Sequence, residues 1–204
     1  MEVPASTFLP VLLSDEALIE FRVEKSPSYI NLDESYVYMK VQVLLNVDGQ
    51  LKKMDKNESL AISTINNFAY SLWSNIELYV NDEKVTSEQV TYPWMSYVHN
   101  LTKMSADERE VVLQDVIWFK DTPYLLENAN NQGFMKRPAM IKESKKAELF
   151  YPLLLDFGKL GKPLPPQTEL SLRFIPGDVS SCLLHDVSDL TPPIRIIDAK
   201  LYVQ

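Results

Sequence analysis

The residues best suited to chemistry in this sequence are few and far apart. The chain has two histidines, His99 and His185, and one cysteine, Cys182. A metal enzyme of the cupin type draws several histidines from neighbouring strands, and a catalytic serine or cysteine needs a positioned base. The sequence has neither pattern, and it has no glycine-rich phosphate loop. It therefore predicts no catalytic residue, no metal and no cofactor, and it favours a protein that builds surfaces over an enzyme.

Each of these candidates also has a structural interpretation. We expect both histidines to be solvated or hydrogen-bonded. Cys182 has no partner for an internal disulfide, which fits an intracellular folding compartment, and we expect it to be an inert small hydrophobic residue. Asp107 and Glu108 follow Ser105 in a helix-capping pattern, in which the glutamate reaches back to the serine amide. These two acids are therefore better explained by a helix start than by acid–base catalysis.

Aromatic residues are the second group of candidates. Three tryptophans, Trp73, Trp94 and Trp118, occur in one part of the chain. Such residues can plug a core, anchor a subunit interface or form a sugar-binding platform. Trp94, Tyr97 and Trp118 lie in a segment that mixes aromatic residues with polar loop sequence. We predict that these three residues contact neighbouring subunits, and a carbohydrate-binding module that uses the tryptophans is the alternative.

Charge and hydropathy narrow the range of partners. The formal net charge is −8 and the pI is about 4.8. An acidic chain repels phosphate backbones, so we expect no direct binding of nucleic acid. No apolar stretch approaches the roughly 20 residues that cross a bilayer, so we expect no membrane span. The N-terminus lacks the basic start and apolar run of a signal peptide.

The elements that position these residues are predicted to be mainly strands. Apolar and polar residues alternate along 17–25, 36–46, 75–81, 169–175 and 194–203, and an apolar run covers 149–155. Alternation buries one face of a strand, and several such strands between turns indicate an all-β sandwich. The segment 60–73 is predicted as a bent strand. The inward face is predicted to include Phe21, Val41, Val43, Leu78 and Leu172.

Helical spacing interrupts the strands in the middle of the chain. Apolar residues at 92–103 follow a helical period with Pro93 in the first turn, and the capping pattern predicts a short helix from 106 to about 113. The polar segment 128–133 is predicted to be a surface loop. We therefore predict one domain over 1–204, with a loop and helix insertion at about 92–140.

Several of these segments, taken in order, resemble the double jelly-roll major capsid proteins of Maverick/Polinton-type transposons and related DNA viruses. The segments that carry the resemblance are Ile19-Glu20-Phe21, Tyr29-Ile30-Asn31-Leu32, Tyr36-Val37-Tyr38-Met39-Lys40-Val41, the stretch from Asn66 to Asn81, Asn131-Gln132-Gly133-Phe134, the stretch from Leu149 to Phe157, Leu164-Pro165-Pro166 and Leu170-Ser171-Leu172-Arg173-Phe174.

The resemblance implies a jelly-roll β-sandwich of two four-stranded antiparallel sheets. In that family a second jelly roll follows in the same polypeptide, so this chain would be the first of two. The resemblance also implies a structural capsid protein that forms homotrimeric, pseudo-hexameric capsomers of an icosahedral shell. Its partners would be other copies in the capsid lattice and minor capsid or penton proteins. It would be made in the host cytoplasm or nucleus and reside in the virion, and the family supplies no catalytic residues to carry over.

Overall fold

Two antiparallel sheets pack across a continuous apolar core in the computed structural model. The structure describes residues 1–14, 16–56, 62–86, 91–125, 130–157, 161–185 and 192–204. The strands are β1 (Glu2–Pro4), β2 (Val11–Leu12), β3 (Ile19–Val23), β4 (Tyr36–Val43), β5 (Leu45–Val47), β6 (Gln50–Lys52), β7 (Ile62–Thr64), β8 (Trp73–Val80), β9 (Glu83–Lys84), β10 (Ala147–Pro152), β11 (Leu170–Pro176), β12 (Leu183–His185) and β13 (Ile194–Tyr202).

The helices are concentrated between β9 and β10. They are α1 (Phe68–Ser71), which lies before β8, then α2 (Tyr92–Lys103), α3 (Ala106–Val112) and α4 (Gln132–Ile141). Short 3-10 turns cover Leu32–Glu34, Leu113–Val116, Lys142–Ser144 and Val179–Cys182. The helix predicted at 92–103 and the short helix predicted from 106 are both confirmed.

The sheet order explains how the chain ends meet. In the first sheet the order is β13, β4, β10, with both β1 and β2 on the far edge of β13. β1 pairs with the second half of β13 and β2 with its first half, so these two short strands share one edge position. The second sheet has the order β3, β11, β8, β9. Two small ladders, β5 with β6 and β7 with β12, complete the described strands.

Alternation fixes which face of each strand is buried. Ile19, Phe21 and Val23 of β3 point into the core, as do Val37, Met39, Val41 and Val43 of β4. All five residues predicted to face inward, Phe21, Val41, Val43, Leu78 and Leu172, are fully buried. The all-β sandwich predicted from the sequence is therefore confirmed, together with its assignment of faces.

Aromatic side chains join the two sheets at the centre of the core. Trp73, at the start of β8, donates its indole Nε1–H to the hydroxyl of Tyr151 on β10, at 3.2 Å. Phe174 of β11 packs edge-on against Trp73 with ring centroids 5.2 Å apart, and Tyr70 packs against Tyr151 at 4.9 Å. Burial raises the pKa of the Tyr151 hydroxyl, so the hydroxyl stays protonated and can accept the indole bond as a neutral group.

Three predicted segments differ from the structure. Among its described residues, the bent strand predicted at 60–73 contains β7 and the first residue of β8. Between them the chain turns into α1, because Asn67 adopts a left-handed backbone with φ 64°. Residues 60–61 and 128–129 lie outside the described part. The surface loop predicted at 128–133 is wrong at its end, because the Asn131 side chain accepts from the Gly133 and Phe134 amides and starts α4 there.

The apolar run 149–155 also differs from expectation. A continuous apolar run is typical of a strand covered on both faces, yet Phe150 and the preceding Glu148 of β10 are exposed while Leu149 and Tyr151 are buried. β10 is an edge strand, and Pro152 ends it where no ladder donor is needed. The short strands β1 and β2 were not predicted at all, because strands of two or three residues are too short to show a period.

Replacing Val41 by aspartate tests the assignment of faces. Val41 is fully buried in β4, so Val41→Asp places an unpaired carboxylate in the core. We expect a loss of several kcal/mol in the free energy of unfolding, measured by urea denaturation. Lys52→Asp, on the exposed strand β6, is the control and is expected to change stability by less than about 0.5 kcal/mol. An unchanged midpoint for Val41→Asp would contradict the assignment.

Candidate subunit interface

Helix α2 lies on the sandwich with one face buried and one face open to solvent. Its buried face consists of Tyr92, Ser96 and Asn100, which recur at four-residue spacing. The side chains of Trp94, Val98 and Leu101 are 74%, 56% and 40% exposed. Residues at these spacings lie on one face of a helix, so they form a continuous apolar strip that we call the α2 stripe.

A buried polar cluster fixes α2 against the turn before α1. Asn67 donates its side-chain amide to the Ser96 hydroxyl at 3.1 Å, and Asn100 donates to the Asn67 side-chain oxygen at 3.0 Å. The Ser96 hydroxyl in turn donates to the Pro93 carbonyl at 2.8 Å. Because a buried polar group that loses its partner costs about 1–3 kcal/mol, these bonds hold the helix in one orientation. The direction in which the α2 stripe points is therefore set by the core.

The neighbouring asparagine holds the segment that follows α3. Asn66 and the backbone of Phe119 exchange two hydrogen bonds, at 3.0 and 2.9 Å. Two residues later, the Asp121 carboxylate accepts hydrogen bonds from the side-chain amide of Asn131 and from the Arg137 guanidinium, both at 2.9 Å. The Arg137 side chain is almost completely buried and the Asp121 side chain is 23% exposed, so this is a partly buried ion pair. Asn66 thus anchors the chain before α4, and Asp121 anchors α4 itself.

Helix α3 extends the apolar surface beyond α2. Its predicted capping box is confirmed: the Ser105 amide donates to the Glu108 carboxylate at 2.7 Å, and the Glu108 amide donates to the Ser105 hydroxyl at 3.2 Å. The bond from the Ser105 amide lowers the pKa of Glu108. Val111 and Val112 at the other end of α3 are exposed. The two helices therefore expose five apolar residues, of which three form the α2 stripe and two are these valines.

The three predicted interface residues do not share one environment. Trp94 is exposed, Tyr97 is half-buried, and Trp118 is 6% exposed and packs in the core. Ile117 adopts a left-handed backbone with φ 55°, and the Trp118 amide bonds back to the Leu113 carbonyl at 3.0 Å. This sharp turn directs the Trp118 ring inward. Trp118 is therefore not an exposed aromatic residue, and the interface roles of Trp94, Tyr97 and Trp118 stay predictions.

The tryptophans do not form a sugar-binding platform. Trp73 is fully buried between the sheets and Trp118 is buried beneath α3, which leaves Trp94 as the only exposed tryptophan, and all three lie in the described part of the chain. A platform needs several ring faces presented together to solvent. The structure therefore does not favour the carbohydrate-binding alternative.

The remaining chemical candidates have ordinary surroundings. Cys182 is fully buried, its thiol donates to the Ser71 carbonyl at 3.1 Å, and burial raises its pKa to about 12. His99 lies on α2, and His185 is the last residue of β12. Within the described ranges, no three His, Cys, Asp or Glu side chains come close enough together to hold a metal ion. In the same ranges, no helix has the length and apolar character needed to cross a membrane.

An aromatic group on the first sheet was missed by the sequence reasoning. On its outer face, Tyr36 and Phe150 stack with ring centroids 5.2 Å apart and an interplanar angle of 1°. Tyr202 packs edge-on against Phe150 at 5.9 Å. These residues come from β4, β10 and β13, so only the strand register brings them together. The signal in the sequence is an aromatic residue at an outward position of each strand.

The outer face of the second sheet carries ion pairs between neighbouring strands. Arg173 of β11 donates to the Glu20 carboxylate of β3 at 3.0 Å, and its guanidinium lies over the Tyr79 ring at 4.5 Å. Between the last two strands of the same sheet, the Lys84 ammonium of β9 lies 2.6 Å from the Glu77 carboxylate of β8. The pairing with Lys84 lowers the pKa of Glu77. The outer face of the second sheet therefore has ion pairs around one tyrosine ring, whereas the outer face of the first sheet combines its three aromatic rings with the ion pairs Lys40–Glu148 and Lys200–Glu2.

Comparison with known proteins gives matches among solved structures. No family model and no curated protein matches the chain. The whole chain matches 46% of a chain from the cryo-EM structure of the Sputnik virophage, with a TM-score of 0.56 and 10% identity. It matches 41% of PBCV-1 VP54, in a crystal structure fitted into a cryo-EM reconstruction of Sputnik, with a TM-score of 0.51 and 11% identity. The whole chain also matches 42% of a chain in a quasi-atomic model of the PBCV-1 virus capsid, with a TM-score of 0.48 and 12% identity.

These matches are informative about the fold. The chain spans less than half the length of the solved chains that it matches. At 10–11% identity the likeness is one of backbone arrangement alone. Together with the two antiparallel sheets, it confirms the predicted jelly-roll β-sandwich with short helices in an insertion.

The Asn67 cluster gives a prediction about stability. Asn67→Ala removes bonds to two buried groups, Ser96 and Asn100, and places a Cβ residue without a local hydrogen bond at φ 64°. We expect a loss of about 2 kcal/mol or more in urea unfolding.

Two variants separate the contributions to that loss. Asn67→Gly keeps the left-handed backbone free of strain and still loses the side-chain bonds, so it should recover only part of the stability. Asn46→Ala, at an exposed position of β5, should change stability by less than about 0.5 kcal/mol. If Asn67→Ala were as stable as Asn46→Ala, the cluster would not hold α2.

Proposed function

We propose that this chain is a structural capsid protein of a virus or of a virus-like transposon of the Maverick/Polinton type. The observation that carries the proposal is the likeness of the entire chain to the fold of the Sputnik virophage structure and of PBCV-1 VP54. A jelly roll provides a rigid wall with loops and insertions at its ends, which suits repeated lateral contacts.

We propose further that copies associate as trimeric, pseudo-hexameric capsomers of an icosahedral shell. The resemblance in sequence supports this arrangement, in which the chain would act as the first of two jelly rolls of a longer polypeptide. Closed symmetric rings need an interface whose geometry is the same in every copy. The buried hydrogen bonds of the Asn67 side chain would keep this geometry the same in every copy, because they fix the orientation of α2 and its stripe.

The α2 stripe is the surface that we assign to these contacts. Interface cores are enriched in aromatic residues and depleted in charge, and Trp94, Val98 and Leu101 are exposed without any charged residue among them. A chain with a net charge of −8 repels its copies, so contacts between copies are expected at uncharged surfaces. Minor capsid or penton proteins are the further partners that the proposal includes, with the virion as the location.

Truncation of Trp94 tests this assignment. Its ring is 74% exposed, so Trp94→Ala should leave the circular dichroism and the melting temperature of the chain nearly unchanged. In the full-length protein we expect the same variant to impair assembly, because a central aromatic anchor contributes about 2 kcal/mol or more to an interface. Assembly is measured by analytical ultracentrifugation and by electron microscopy of particles.

Two further variants make the result interpretable. Trp118→Ala removes a buried ring and should cost about 3–5 kcal/mol of stability before any effect on assembly. Tyr124→Ala removes a fully exposed ring outside the helices and should assemble normally. Normal assembly of Trp94→Ala would show that the interface lies elsewhere, and failure of Tyr124→Ala to the same degree would show that the effect is not specific to α2.

A further inference from the structure

Six exposed lysines lie together at one end of the first sheet. They come from two segments that are far apart in the chain, the end of β6 with the loop that follows it and the turn before β10. The Met54 amide donates to the Ser144 hydroxyl at 2.9 Å, and this bond joins the two segments. Each of the six lies within two residues of Met54 or Ser144. We call this group the lysine patch, and its members are Lys52, Lys53, Lys56, Lys142, Lys145 and Lys146.

The base of the patch is buried and fixed. Met54 and Ser144 are each 3% exposed, and the Ser144 carbonyl accepts a second bond from the Gln42 side chain of β4, at 2.8 Å. Glu143 and Ser144 both have a left-handed backbone with φ 54°, which residues other than glycine keep only where their surroundings impose it. These contacts hold the backbone that carries the lysines in one arrangement.

The local charge at this end is opposite to that of the chain. The segments 52–56 and 142–146 contain six lysines and two acids, a net charge of +4, in a chain whose net charge is −8. Lys142 lies 3.9 Å from Glu143, whereas the other five lysines make no ion pair with a residue of the described ranges. Like charges gathered in this way repel one another, so an anionic partner relieves the repulsion.

The net charge of the whole chain does not decide what this end attracts. The sequence predicts no binding of nucleic acid from the overall acidity, which averages over all surfaces of the sandwich. Charges in water interact over about one Debye length, roughly 8 Å at physiological salt. A phosphate that touches the patch is therefore attracted by the lysines beside it more strongly than it is repelled by distant acids.

The composition of the patch favours a phosphate backbone as the anion. Neither segment contains an arginine or an aromatic residue, so the patch presents ammonium groups alone. Duplex backbones are bound by such charges without other contacts, because each lysine releases condensed counterions. Single-stranded nucleic acid is bound on aromatic rings, and lipid surfaces are bound with several apolar side chains. Of the apolar residues in and directly beside the two segments, only Leu51 is exposed, to 37%.

We propose that the lysine patch binds the phosphate backbone of double-stranded nucleic acid, independently of base sequence. Non-specific affinities of this kind are about 10⁻⁴ to 10⁻⁶ M at physiological salt. Copies that stand side by side in one shell would present their patches on the same side, so that one extended anion contacts several of them. That common orientation rests on the proposed capsid function, whereas binding by a single chain does not.

Fluorescence anisotropy of a short labelled DNA duplex tests the binding on the chain alone. We expect saturable binding at about 50 mM salt that weakens as salt is added, because counterions are released. Lys53→Gln combined with Lys145→Gln removes one charge from each segment. This double variant should weaken binding about tenfold at low salt and reduce the slope of log affinity against log salt by about 2. Both residues are exposed, so the variant is expected to fold normally.

Lys25→Gln combined with Lys162→Gln is the matched control for net charge. Both residues are exposed and neither belongs to the patch, so this variant should bind the duplex within about twofold of the unmodified chain. Vesicles of phosphatidylcholine and phosphatidylserine are the second probe.

Three results would overturn the proposal: no binding of the duplex at low salt, equal behaviour of the two double variants, or vesicle binding that persists to a higher salt concentration than duplex binding. Each of them leaves the assembly test of Trp94 unaffected, so a failure here is distinguishable from a failure of the capsid proposal.

Discussion

Two consecutive asparagines hold the helical layer of this protein to its sandwich. Asn66 bonds to the backbone of Phe119, and Asn67 bonds to Ser96 and Asn100 of α2. Because these groups are buried or partly buried, the bonds cannot be exchanged for water without opening the structure. The left-handed backbone at Asn67 makes the arrangement possible. It turns the chain away from the direction of β7 and lets the Asn67 side chain reach two residues of α2. The position of every residue on α2 follows from this turn.

The rest of the molecule can be understood as support for that turn. α1 leads directly into Trp73, whose indole bonds to Tyr151 of the opposite sheet and so ties the start of β8 to β10. The inward faces of β3, β4, β8 and β11 fill the space between the sheets with aliphatic side chains. The sandwich is therefore rigid where α2 is attached, and rigidity at the attachment site is what a repeated contact between copies requires.

The parts of this fold that repeat locally could be predicted from the sequence. Period-two alternation identified the buried faces of β3, β4, β8 and β11, and the Ser105 capping box located the start of α3. What could not be predicted depends on backbone turns or on strand register. The positive φ at Ile117 directs Trp118 inward, whereas Trp94 on α2 is exposed. The aromatic group of Tyr36, Phe150 and Tyr202 exists only because three strands align.

The central claim is that α2 presents Trp94 on a rigid surface that other copies cover. Hydroxyl-radical footprinting of the full-length protein tests it most directly, because the three tryptophans differ in exposure and Trp73 and Trp118 serve as buried internal standards. We expect Trp94 alone to be oxidised rapidly before assembly and its oxidation rate to fall severalfold in assembled particles, while Trp73 and Trp118 are oxidised slowly throughout. A Trp94 that is oxidised as fast in particles as before assembly would contradict the claim.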